Sequence, residues 1–250
     1  PETQALTRGL LADDVWAAGH LGHVDGQHNP EDVWLNPIFP FEDWTLETGD
    51  PPVDKIVQKT LDLAPRMQSI LSGESCNTAI RTPIAWVRAG RGEELPAILK
   101  SYYAAFAPLT NGWSLFEGAD QAHSIEHLGC ISTALQEGLL QSVSARPGGP
   151  EIIRVFPAWP ESWDASFRLL ARGGFLVTSA IQQGEVEFVE IESRLGEPCR
   201  LRNPWGVPCR VGEIDGTEQE LDGDILRFNT EKDRRYRVLP ANRPEPRSTR

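Results

Sequence analysis

The stretch "ARPGGP" at residues 145–150 divides the sequence into two textures that no single regular architecture accommodates. Upstream, apolar residues recur at spacings of three and four, the period of a helix with one buried face. Downstream, short runs rich in Val, Ile and Phe follow one another closely between Gly-containing turns. Helices first and strands afterwards imply two packed layers, one per domain, and exclude an alternating β/α sheet. The predicted organisation is a multidomain chain, α then β. Residues 1–143 are helical, residues 150–240 form a small antiparallel β-sandwich, and the tail "ANRPEPRSTR" at 241–250 buries nothing and is expected to be disordered.

Within the helical part, "VDKIVQKTLDLAPRMQSIL" places Val53, Ile56, Val57, Leu61 and Leu63 near one stripe, with Pro65 as a kink or end. "NTAIRTPIAWVRAG" and "EELPAILKSYYAAFA" are two further helices, each opened by a capping or acidic residue and closed near Gly or Pro. "IEHLGCISTALQEGLLQS" carries the clearest pattern, in Ile125, Leu128, Ile131, Leu135, Leu139 and Leu140. Five or six helices make a thin core alone, so further helices are expected upstream of Pro1, in a longer polypeptide. In the sandwich, "EVEFVEIES" alternates apolar and acidic residues, as a sheet with one wet face does. Phe175, Phe188 and Phe228 are expected in its core. Trp159 and Trp163, flanked by prolines in "RVFPAWPESWD", are expected to anchor the join between the two parts.

The charge is as uneven as the texture. Residues 1–143 hold 19 acidic against 8 basic side chains and the remainder 17 against 16, for a net charge of −12. An acidic helical half lacks the basic footprint that nucleic acid demands. No apolar run approaches the roughly 20 residues of a membrane-spanning helix, so no membrane partner is expected. The sequence leaves the compartment open. Cys76, Cys130, Cys199 and Cys209 form no Cys-x-x-Cys pair, which argues against a zinc knuckle. Cys199 and Cys209 stand in one strand-rich stretch, where either a disulfide or two free buried thiols would fit.

"HSIEHLGC" at residues 123–130 contains His-x-x-Glu-His, the spelling of an inverted zinc-peptidase site. On one helix, His123 and His127 would share a face with Glu126 beside a bound water. A third ligand is missing, however. Glu137 lies ten residues along the same helix from His127, about 15 Å away at 1.5 Å per residue. No metal and no other cofactor is therefore expected. A second histidine-rich stretch, "GHLGHVDGQH", holds His20, His23, Asp25 and His28 at spacings diagnostic of nothing. Asp13, Asp14, Glu117 and Asp120 stand near predicted helix ends, the last two just before Glu126.

"LQEGLLQS" followed by "EIIRVFPAWPESWDASFRLLARGGFLVTSAIQQGEVEFVEIESRLGEPCRLRNPW" resembles the C-terminal part of glycoside hydrolase family 95. That family contains inverting α-L-fucosidases and α-L-galactosidases. Its catalytic toroid ends in a helix closing with Leu-Leu-Gln-Ser, followed by a Pro-Ala-hydrophobic-Pro segment and an Arg-Ala-Arg-Gly-Gly-Phe strand. The matching residues are 139–142, 157–160 and 170–175 of this chain. "HNPEDVWLNPIFP" more loosely resembles the family's His-rich stretch. The resemblance implies the last helices of an (α/α)6 toroid followed by the sandwich. It also implies hydrolysis of an α-linked sugar in an oligosaccharide or polysaccharide, and an extracellular or periplasmic setting.

The same resemblance aligns Glu126 with the family's catalytic base, where Asp in an Ile-Asp-Gly-Asn-Phe-Gly context is usual. This chain writes Ile125-Glu126-His127-Leu128-Gly129. His28, Trp34, Trp113, Asp120 and His127 are the candidate substrate-binding residues. The general acid and the water-holding Asn pair find no match here. Two other classes share this architecture: a polysaccharide lyase or phosphorylase, and a non-catalytic structural or carbohydrate-binding remnant. A phosphorylase would need a phosphate-holding His, Arg and Ser cluster, which residues 110–130 do not show. Restored binding without turnover would mark the remnant.

Overall fold

A computed structural model describes residues 11–12, 15–16, 35–62, 82–106, 114–115, 123–124, 126–214 and 216–243. It divides into two compact units. The first takes residues 1–138, 144–149 and 157–160, and the second takes 139–143, 150–156 and 161–250. Among the described residues, no helix is long and apolar enough to cross a membrane.

The first unit holds helices α1 (Pro51–Asp62), α2 (Thr82–Arg88), α3 (Leu95–Phe106) and α4 (Glu126–Leu139). Asp50 caps α1, its Oδ1 accepting from Val53 N at 3.4 Å, with Pro51 at the first helical position, where the lost N–H costs nothing. The α2 helix ends in a Schellman turn: Gly90 N donates to Val87 O and Arg91 N to Trp86 O. Gly90 supplies the left-handed residue at φ +81°. Leu35, Ile38, Trp44, Val57, Leu61, Ala85, Trp86, Ile98 and Ile131 form this unit's core. Residues 157–160 run over α4 and the 3-10 turn before α3. A Cβ on Gly92 would meet Ala158 C at 2.5 Å, and one on Gly138 would meet Ala158 O at 3.0 Å. Those two glycines exist to let backbone approach backbone.

Residues 1–143 are not helical throughout. Two short antiparallel ribbons interrupt them: β1 (Leu11–Ala12) with β2 (Val15–Trp16), and β3 (Ser114–Leu115) with β4 (His123–Ser124). Nor does the last helix close in Leu-Leu-Gln-Ser. It stops at Leu139, and β5 (Leu140–Ser144) begins at the next residue. In β5, Leu140, Gln141 and Val143 are buried, so this apolar run serves a sheet and not a fifth helical turn.

The second unit is a two-sheet sandwich. A four-stranded sheet runs β13 (Ile225–Phe228), β10 (Cys199–Arg202), β6 (Glu151–Val155), β5. A six-stranded sheet runs β12 (Glu218–Leu221), β11 (Cys209–Glu213), β14 (Arg234–Pro240), β9 (Glu185–Ser193), β8 (Phe175–Gln182), β7 (Ala165–Ala171). The pairing is antiparallel in the six-stranded sheet and between β10 and β13, but β10 runs parallel to β6. Gln183 and Gly184, both at positive φ, make the tight turn that joins β8 to β9. Phe156, at φ +50°, turns the chain out of β6 and packs edge-on against Phe167 at 5.1 Å. Trp159 in the first unit and Trp163 in the second are both half-buried.

The alternation in β9 breaks where the sheet bulges. Ala180 pairs with Phe188 but Ile181 with Val186, leaving Glu187 as the extra residue. Val186 and Val189 both face the core for that reason, and Phe188 is half-buried, outside the expected core. Trp205 Nε1 donates to Val186 O, and Arg243 Nη1 donates to the Val186 and Glu187 carbonyls. Arg243 thus belongs to the fold and not to a loose tail; residues 244–250 lie outside the described ones.

Cys199 and Cys209 are free, and both are buried in the apolar core. Burial pushes the Cys199 thiol from an ordinary 9.0 up to about 12, with the Arg200 charge working against it. Cys209 rises to about 11 through burial and then the nearby Asp222 charge. In alkali the unfolded thiols ionise first, so the native state holds more protons and stability falls as pH climbs from about 9 towards 12. The expected slope reaches about 1.4 kcal/mol per pH unit for each thiol. Urea titrations at stepped pH should show the fall, and Cys199→Val should flatten it. A profile that Cys199→Val leaves unchanged would contradict this origin.

Candidate functional site

Glu126 is the first residue of α4 and His127 the second. Immediately before α4, Ser124 in β4 pairs with Ser114 and His123 with Leu115. The ribbon thus pairs Ser114 and Leu115 with the strand that precedes α4. Trp113, with His28, Trp34 and Asp120, lies outside the described residues, as do His20, His23, Asp13, Asp14, Asp25 and Glu117.

The ribbon also bears on the zinc-like spelling. His123 lies in β4, and only Glu126 and His127 lie in α4. The three residues of the motif therefore do not share one helix, the premise on which the two histidines would present a common face. Glu137, the only downstream acid on that helix, is ion-paired elsewhere in its unit. Its Oε1 accepts from Arg88 Nη2 at 2.7 Å.

That ion pair is part of a cluster the sequence did not reveal. Arg88, at the end of α2, also donates through Nη1 to Glu42 Oε1 at 2.9 Å and stands 5.4 Å from the Phe39 ring centre. Its side chain is 6% exposed and each carboxylate 18%. Glu42 sits at φ +58°, an uncommon conformation for a residue other than glycine. The cluster holds the 35–48 loop, α2 and α4 in one register. A visible signal was Arg88 within the otherwise apolar "IAWVRAG".

Among the described residues, no aromatic side chain of the sandwich is fully exposed. A groove of about 410 Å³ on the outer face of the six-stranded sheet is lined by Arg168, Leu176, Thr178, Glu190, Glu192 and Arg235. Its charges neutralise one another, Arg168 with Glu192 at 3.0 Å and Arg235 with Glu190 at 3.3 Å. Among the described residues the exposed large apolar side chains include one aromatic, Phe41, and it lies in the first unit.

Residues 148–238 match the family model described as glycoside hydrolase family 95, C-terminal domain. No curated protein sequence matches the chain. A crystal structure of Ara127N-Se, a GH127 beta-L-arabinofuranosidase from Geobacillus Stearothermophilus T6, is similar at 10% identity with a TM-score of 0.27. That likeness covers 63% of this chain, which spans 30% of that structure's length.

Proposed function

From a C-terminal domain like that of glycoside hydrolase family 95, we propose that this chain is the C-terminal part of a glycoside hydrolase. In this reading residues 1–143 supply closing helices of an (α/α)6 toroid, and the sandwich supports them. The substrate is an α-linked sugar such as an α-L-fucoside or α-L-galactoside, cleaved with inversion. The family match over residues 148–238 is the observation that carries the reading.

Inversion needs two carboxyl groups about 6.5–9.5 Å apart, one donating a proton to the leaving oxygen and one taking a proton from the attacking water. Glu126, at the start of α4, is assigned the second role. The acid then belongs to the polypeptide upstream of Pro1. His127 is assigned to positioning, and His28, Trp34, Trp113 and Asp120 to the sugar-binding mouth. The test is proton NMR of the first-formed sugar when the full-length protein hydrolyses an aryl α-L-fucoside or α-L-galactoside. The β anomer is expected first. The α anomer first, or no hydrolysis of either, would overturn the reading.

A further inference from the structure

The sandwich places two arginines where strand pairing disfavours them. Arg200 on β10 and Arg227 on β13 are direct partners across the ladder. Their neighbours Cys199, Leu201, Leu226 and Phe228 are in the core, so both arginines project from the opposite face. Arg227 is exposed there and Arg200 half-buried. Like charges set directly opposite are destabilising. Elsewhere the unit neutralises its arginines, as Arg168 with Glu192, Arg210 with Glu218 and Arg237 with Glu190. Among the described residues neither Arg200 nor Arg227 has a carboxylate partner; Arg227 donates only to its neighbour's backbone, Ile225 O, at 3.1 Å.

Both arginines line one cleft of about 300 Å³, together with Pro198, Gln219 and Asn229. Gln219 reaches it from β12 in the other sheet, and Asn229 follows β13 directly. Two guanidinium groups and two carboxamides thus converge on a space whose lining includes no carboxylate. Guanidinium forks fit the paired oxygens of a carboxylate, sulfate or phosphate. The chain's net charge of −12 gives it no general attraction for anions, so any such binding has to come from a local site.

We propose that this cleft binds an oxyanion, held by Arg200 and Arg227 with Gln219 and Asn229 as further donors. The anion is either a free inorganic one or the carboxylate or sulfate substituent of a sugar. The site stands apart from the glycosidase reading and from Glu126.

Isothermal titration of the 250-residue chain with sodium sulfate, sodium glucuronate and glucose, at matched ionic strength, tests it. At least one of the two anions should bind saturably to one site, and glucose should not. Arg200→Gln and Arg227→Gln should each weaken binding by about tenfold or more. Arg168→Gln, at a position already paired with Glu192, should leave it unchanged. Sulfate alone binding assigns the site to a free inorganic anion, and tighter glucuronate binding assigns it to an acidic sugar. Sulfate should also raise the parent's melting temperature and raise that of Arg227→Gln less, a readout independent of heat signals. No saturable binding of either anion, or unchanged affinity in both arginine variants, would overturn the proposal.

Discussion

Glu126→Gln in the full-length enzyme should lower hydrolysis of an aryl α-glycoside by about 10²–10⁴-fold, the usual worth of general-base assistance. That corresponds to about 3–5 kcal/mol of barrier. The amide keeps the size and hydrogen-bonding reach of the carboxylate but cannot take a proton from water, so the fold and melting temperature should be unchanged. A glycosyl fluoride, whose leaving group needs no acid, should lose rate as well, because the disabled step is water activation. Azide, a nucleophile that needs no deprotonation, should restore part of the turnover. His127→Ala should cost less. A variant that keeps more than about a tenth of the parent rate would refute the assignment, and Asp120 and Glu117 would then be the next carboxylates to replace.

Arg88→Met should destabilise the chain by about 3 kcal/mol, at the lower end of what is lost when one member of a buried ion pair is removed. Methionine retains much of the side chain's apolar length, so the loss reads the charge. Glu42 and Glu137, each 18% exposed, would be left without the cation that bridges them. Adding Glu42→Gln and Glu137→Gln to Arg88→Met should recover part of the loss, since both uncompensated charges are then gone. Thermal unfolding followed by helical circular dichroism reads the effect. A melting temperature for Arg88→Met within a degree or so of the parent would show that the cluster contributes little.

The sandwich was legible because its strands announce themselves locally. "FLVTSAI", "CRLRN" and "RYRVL" are bounded by turn residues whose conformations the chain adopts, as at Gly173, Gly174 and Gly184. Two strands escaped. The sequence of β12, Glu-Gln-Glu-Leu, carries no apolar alternation, because an edge strand with exposed side chains needs none. Leu140 and Val143 of β5 fit a continued helix as well as a strand, and only the company of β6 in the sheet decides between them. The bulge at Glu187 was hidden for a related reason, since an alternating pattern assumes an unbroken register. Of the candidate site, the start of α4 at Glu126 was readable from the helical period. The Arg88 cluster was not, because Glu42, Arg88 and Glu137 are separated by 46 and 49 residues and share no pattern.

The path of the chain has an evolutionary consequence. It passes between the two units after residues 138, 143, 149, 156 and 160. A gene segment starting at residue 148, where the family match begins, would leave β5 behind. The four-stranded sheet would then lose a border strand, exposing β6 as a raw edge, and Arg172 N would lose the Ser142 Oγ that accepts from it at 2.9 Å. A junction has to lie at or before residue 139 to keep the sandwich whole. Such a segment necessarily carries residues 144–149 and 157–160, which belong to the first unit.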